Sequence, residues 1–153
     1  MTSIQVSPRV DAQLSQSAAE TPAARLLADA GVAQSRVAVI VPCFNEELTV
    51  AKVVDDFRAQ LPDARVYVFD NRSSDATARI ALDHGAIVLP EPRRGKGYVV
   101  ASMFQRVEAD YYVMADGDDT YPAEHLGRLL RPVVAGTADM VVGTRLQVYT
   151  DQS

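Results

Sequence analysis

The chain has 153 residues, 48% of them apolar and 23% charged, which suits one globular core and argues against disorder. Its 15 Lys and Arg against 20 Asp and Glu leave a net charge of -5, so nonspecific attachment to nucleic acid is disfavoured and no nucleic-acid partner is expected. The one cysteine, Cys43, excludes an internal disulfide and a cysteine-based zinc site and suits a reduced cytoplasmic compartment.

Residues 1–35 are rich in Ala, Ser and Gln and read as a flexible or partly helical lead-in, with a short helix over Ala23–Ala30 closed by Gly31. Met1–Gln13 lacks the apolar stretch of a secretory signal. From residue 36 the pattern becomes regular. Val37–Val41 is β-branched and apolar, a buried strand too short to cross a bilayer. Val50, Val53, Val54, Phe57 and Leu61 then recur with helical spacing. A strand follows at Arg65–Phe69, a helix from about Ser74 to Asp83 stopped by His84 and Gly85, and a short strand at Ala86–Leu89.

Val100, Met103, Phe104 and Val107 mark a third helix, and Tyr111–Ala115 a fourth strand. Leu126, Leu129, Leu130 and Val133 share one face of a further helix entered through Pro122 as a first-turn proline. Met140–Val142 reads as a fifth strand. The alternation predicts an α/β fold: an open, Rossmann-like sheet of mainly parallel strands with helices on both faces. Gly143–Ser153 follows in polar residues with no helix to cover the sheet edge, so the domain over 36–153 is expected to be incomplete at its carboxyl end.

In open α/β sheets ligands bind beyond the carboxyl ends of the strands, so the loops there carry the chemistry. After the first strand comes Pro42-Cys43-Phe44-Asn45-Glu46-Glu47, where Asn45 suits a helix cap and the glutamates favour the positive end of a helix dipole. After the second comes Asp70-Asn71-Arg72-Ser73-Ser74-Asp75, where Asp70 is either a turn residue or an acceptor for a base or ribose. Arg93-Arg94-Gly95-Lys96-Gly97 gathers three cations around two glycines, as a phosphate contact or a solvated turn. It is not a Walker A loop, since Gly97 stands where Ser or Thr must follow the lysine, and it lacks the third glycine of a dinucleotide fingerprint.

The sharpest signal is Asp116-Gly117-Asp118-Asp119. Alternation sends Asp116 and Asp118 to one side, and two carboxylates about 4 Å apart repel by about 4 kcal/mol at an effective dielectric near 20. No Lys or Arg lies between Arg106 and Arg128 to offset these aspartates, so a bound Mg2+ or Mn2+ is expected. Cys43 is read as a packing residue and His84 and His125 as surface residues.

Together, Val39–Glu47, Asp70–Asp75, Arg94–Gly97 and Asp116–Pro122 closely resemble the family 2 glycosyltransferases of the GT-A fold, in the flavour of the polyprenyl-phosphate sugar transferases. The resemblance spans about residues 36–145 and implies a donor site for a UDP- or GDP-linked sugar, used for inverting transfer to an acceptor such as a polyprenyl phosphate or a cell-surface glycan. It implies that Pro42, Phe44, Asn45 and Glu46 wall the nucleobase pocket, and that Asp70 meets the base or ribose. Lys96 would lie near the phosphates, while Asp116 and Asp118 would hold the metal on the donor diphosphate, with Thr120 where some relatives have a further metal contact.

In such families the acceptor site and general base follow the fifth strand, so the resemblance implies a donor-binding half, working in the cytoplasm or at the inner face of the membrane. A non-catalytic nucleotide-sugar-binding module would use the same residues. A sugar nucleotidyltransferase would need a glycine-rich signature after the first strand, where Pro42–Glu47 stands, and a receiver domain would need a phosphoacceptor Asp where Leu89-Pro90-Glu91 stands.

Overall fold

A computed structural model describes residues 21–143. Helix α1 (Pro22–Asp29) leads through a 3-10 turn to strand β1 (Val37–Cys43), then α2 (Val50–Gln60), β2 (Arg65–Asp70), α3 (Thr77–Asp83) and β3 (Ile87–Pro90). Helix α4 (Lys96–Arg106), β4 (Tyr111–Met114), a 3-10 turn at Ala123–His125 and α5 (Leu126–Val134) complete the order. The four strands form one parallel sheet in the order β3-β2-β1-β4.

Strand β1 is central and buried at every position, because helices cover both its faces and neither side chain row meets water. Its alternate residues divide the core. Val37, Val39, Val41 and Cys43 join α1, α2, α3 and α5 on one face, where Val50, Val53, Val54 and Phe57 supply the apolar stripe of α2. Ala38 and Ile40 face the other layer with Tyr67, Phe69 and the α4 residues Val99 and Met103. The α/β sandwich expected from the alternation is therefore present, with one helix on one face and four on the other.

Helix α1 is tied to this core at its amino end. Thr21 accepts the Ala24 amide at 3.1 Å and donates its hydroxyl to the carbonyl of Gln60, the last residue of α2, at 2.6 Å. Ala23 and Leu27 are fully buried. Gly127 of α5 admits this close approach: a Cβ there would stand 3.2 Å from the backbone of Pro22 and Ala23.

Four local expectations are corrected. Met140–Val142 is not a strand: no described strand pairs with it, and Met140 and Val142 are 78% and 74% exposed. Helix α3 starts at Thr77, because Ser74 and Asp75 spend their polar groups on the neighbouring loop. Pro122 precedes a 3-10 turn and does not open α5 directly. On α4 the buried face runs through Val99, Ser102 and Met103, leaving Phe104 62% exposed with its ring edge-to-face on Tyr112 at 5.2 Å. The expected polar trailing segment lies, beyond Gly143, outside the described residues.

Candidate functional site

The chain leaves β1 toward β2 and β3 on one side and returns to place β4 on the other, so the carboxyl ends of β1 and β4 flank a topological switch point. A cleft of about 190 Å3 opens there. Pro42, Cys43, Phe44 and Glu46 line it from the end of β1, and Asp116, Gly117 and Asp118 from beyond β4. Asn71, Lys96 and Val99 complete the wall.

Of the residues singled out from sequence, Pro42, Phe44, Glu46, Lys96, Asp116 and Asp118 thus share one cleft, while Asn45 and Asp70 stand outside its lining. Asn45 has a left-handed backbone (φ +56°), and its side-chain oxygen accepts the Ser74 amide at 2.8 Å. Its own amide donates to the Ser73 hydroxyl at 3.0 Å. Asp70 accepts the Ser73 amide at 3.3 Å. The next residues continue this brace: the Glu46 amide donates to Thr77 Oγ1 at 2.8 Å, and the Glu47 carboxylate accepts the Ala76 amide at 3.0 Å. The loops after β1 and β2 therefore satisfy each other's orphan amides, including those at the start of α3.

The acidic loop is seated on β1 through Gly117. Its carbonyl accepts the Thr49 hydroxyl at 2.6 Å, and any Cβ on it would overlap Cys43. Asp118 Oδ1 accepts both the amide and the hydroxyl of Thr120, at 3.1 and 2.7 Å, so Thr120 serves here to fix Asp118. The expectation that no cation offsets these aspartates is corrected by the fold. Lys96 pairs with Asp116 across the cleft, and Lys52 of α2 pairs with Asp119 at 2.9 Å. Both lysines are remote in sequence, which is why the local charge count missed them.

Three further residues escaped the sequence reading. Asn71 is buried at the cleft wall, and its side chain holds the backbone of the Glu91–Gly95 loop. Glu91 is 2% exposed and accepts Arg93 and Ser102, which holds its carboxyl down at about 2. Val99 supplies an apolar wall. A polar residue directly after a strand is the only local signal for Asn71. Burial pushes the Cys43 thiol up to about 12, with the nearby carboxylates of Glu46, Asp70 and Asp116 adding to the effect, so this thiol is a neutral packing group.

The donor chemistry of the cleft fits a hard divalent cation. Asp116 and Asp118 offer carboxylate oxygens, and among the described residues no group of three or more His, Cys, Asp or Glu forms an all-protein cage. Mg2+ commonly binds in this manner, through one or two carboxylates with phosphate and water oxygens filling the shell. No helix among the described residues is long and apolar enough to cross a membrane.

Comparisons with known proteins identify the family. Residues 38–153 match the family model described as glycosyl transferase family 2. The chain is 50% identical over 109 residues to Protein RfbJ of Shigella flexneri, covering 71% of this chain and 84% of that protein. It is 39% identical over 125 residues to the low-salt glycan biosynthesis hexosyltransferase Agl6 of Haloferax volcanii, covering 80% of this chain and 30% of that one. Among solved structures, glucosyl-3-phosphoglycerate synthase of Mycobacterium tuberculosis superposes with a TM-score of 0.64 at 25% identity, over 74% of this chain and 45% of that chain. Its complex with Mg2+ and uridine diphosphate superposes at 0.59 and 25% identity, over 64% and 39% of the two chains. The match thus spans 30% of the hexosyltransferase and 39–45% of the synthase. A GT-A sheet, four loop motifs in order and a family match over most of the sequence lead to one conclusion: this chain belongs to glycosyl transferase family 2.

Proposed function

We propose that the cleft between β1 and β4 binds the diphosphate of a nucleoside-diphosphate sugar and that the chain takes part in inverting transfer of that sugar to a glycan or lipid-linked acceptor. The observation that carries this reading is the convergence of Asp116, Asp118 and Lys96 on one cleft at the switch point of the sheet. Asp116 and Asp118 would hold Mg2+ or Mn2+, which supplies charge neutralisation of the leaving nucleoside diphosphate. Lys96, already placed on a carboxylate of the same site, would meet the phosphates as a point charge. Pro42, Phe44 and Glu46 offer a wall of mixed apolar and acidic character for the nucleoside, and Asp70, beside Asn71 at the end of β2, is assigned to the base or ribose. Uridine diphosphate in the related synthase supports a nucleotide of this class, and the hexosyltransferase relative supports a hexose and a glycan product.

Calorimetric titration of the full chain with UDP and GDP, with and without Mn2+, tests the reading. Binding that requires the metal and is lost in Asp116→Asn and Asp118→Asn is expected. Folded protein that binds neither nucleotide, or binds one equally without metal and in both variants, would overturn it.

A further inference from the structure

The loop between β3 and α4 carries Arg93, Arg94 and Lys96, and the fold gives Arg93 and Lys96 different employment. Arg93 is bonded back onto its own loop and α4. Its Nε and Nη2 donate to the two carboxylate oxygens of Glu91 at 2.8 and 2.9 Å, and its amide donates to the same carboxylate at 2.9 Å. Nη2 also donates to Ser102 Oγ at 3.2 Å, and the guanidinium lies 4.8 Å from the centre of the Tyr98 ring. Ser102 in turn donates to Glu91, which ties the loop to the second turn of α4. The carboxylate of this bidentate pair is buried and the Arg93 side chain is 51% exposed, so what holds Arg93 is the engagement of its Nε and Nη2 in a structural clamp.

Asn71 closes the clamp from the sheet. Its Nδ2 donates to the carbonyls of Glu91 and Arg93 at 3.0 and 2.6 Å, and its Oδ1 accepts the Gly95 amide at 2.8 Å. Its backbone amide donates to the Cys43 carbonyl at 2.8 Å, so the residue is anchored to β1 as well. Gly95 sits at φ +119°, a conformation that L side chains rarely adopt, and Lys96 begins α4 immediately after it. The three side-chain bonds of Asn71 thereby fix where the first residue of α4 stands, and Lys96 is that residue.

We propose that Asn71, acting with the Glu91–Arg93–Ser102 cluster, is a positioning residue that aims Lys96 at the donor diphosphate, and that Arg93 is a brace for the loop and makes no phosphate contact. This rests on the donor-site reading above. It assigns the anion-binding duty of the loop to Lys96 alone of the pair, and makes nucleotide affinity depend on a buried amide that carries no charge.

The test is a double-mutant cycle on the full chain, reading the affinity for UDP or GDP, whichever the unmodified protein binds, in saturating Mg2+. Lys96→Met is expected to weaken binding about tenfold, the scale of one charge-assisted contact. Asn71→Ala should weaken it by a similar factor in the unmodified background and by less than twofold in the Lys96→Met background, since it acts through that lysine. Arg93→Lys is expected to lower thermal stability while changing affinity in the Lys96→Met background by less than twofold. If Asn71→Ala does not fold, Asn71→Ser takes its place, retaining one hydroxyl for the loop. Equal losses from the Asn71 variant in both backgrounds would mean a merely structural role and overturn the proposal. A Lys96→Met protein that binds like the unmodified chain would overturn it too, while leaving the metal-dependent site standing. Failure of the unmodified protein to bind either nucleotide would instead bring down the donor-site reading, and this proposal with it.

Discussion

A Cβ placed on Gly117 would fall 2.5 Å from Sγ of Cys43. The end of the central strand and the acidic loop are thus in direct contact, with no room for even one methyl between them. This contact, together with the 2.6 Å bond from Thr49 to the Gly117 carbonyl, sets the depth at which Asp116 and Asp118 sit. Gly117→Ala is therefore expected to destabilise the fold by about 1–3 kcal/mol through overpacking. Cys43→Ala removes the opposing sulfur, so the double variant should be more stable than Gly117→Ala alone. Chemical denaturation of the four proteins gives the coupling, and strict additivity would contradict the contact.

The same burial makes Cys43 inert. Its thiol stands at about 12 in the fold against its ordinary 9.0, so the native state holds its proton where the unfolded chain releases it. The sign follows: above about pH 9 the unfolded state binds fewer protons, and stability falls as pH rises from 9 toward 12. At pH 8, a thiol reagent should label the native protein only as fast as it opens, and label it quickly in denaturant. Cys43→Ala should flatten the alkaline loss measured by thermal melts.

Glu91 works in the opposite direction. Hydrogen bonds from Arg93 and then Ser102 bring its carboxyl from the ordinary 4.5 to about 2, so on acidification the unfolded chain takes up a proton first. The stabilisation is complete above about pH 4.5 and is lost as pH falls toward 2. Glu91→Gln should remove this part of the acid dependence. Melting curves between pH 2 and pH 6 that stay parallel for the two proteins would contradict the assignment.

Asn45 shows how a loop residue can brace the loops around the cleft without lining it. Its left-handed backbone and its bonds to Ser73 and Ser74 join the β1 and β2 loops. Asn45→Ala keeps the strain and loses the side-chain bond, for about 1–2 kcal/mol. Asn45→Gly loses the same bond but relieves the strain, so it should be the milder of the two by equilibrium unfolding.

The layers of this fold were legible because each relies on a local period. The alternation of apolar runs and helical stripes locates four strands and their helices, and the loop motifs stand at strand ends where the sheet topology puts ligands. What was not legible is made by residues far apart. Lys52 lies 67 residues before Asp119, and Lys96 lies 20 before Asp116, so a count of charges along the acidic segment saw an imbalance that the fold reduces. Val99 and Val100 are adjacent, and periodicity alone could not choose between the two faces of α4; the bond from Ser102 to Glu91 accompanies the face that is buried. Met140–Val142 has the composition of a strand, but a strand also needs a ladder, and no described strand lies beside it.

Helix α1 is the clearest case of a segment whose composition understates its place. The Ala-rich lead-in delivers Leu27 at 0% exposure into the layer shared by α2 and α5, and Gly127 is small because the α1 backbone lies against it. Leu27→Ala should cost about 2–5 kcal/mol, the range for emptying a packed leucine site. Leu82→Ala, on α3 and 58% exposed, is the matched control and should change stability by less than about 0.5 kcal/mol. Gly127→Val would push the two helices apart and should rival the leucine deletion. Should Leu27→Ala prove as mild as Leu82→Ala in denaturant unfolding, α1 would be an appendage to the sheet. A loss in the expected range makes it part of the same cooperative unit that holds the acidic loop in place.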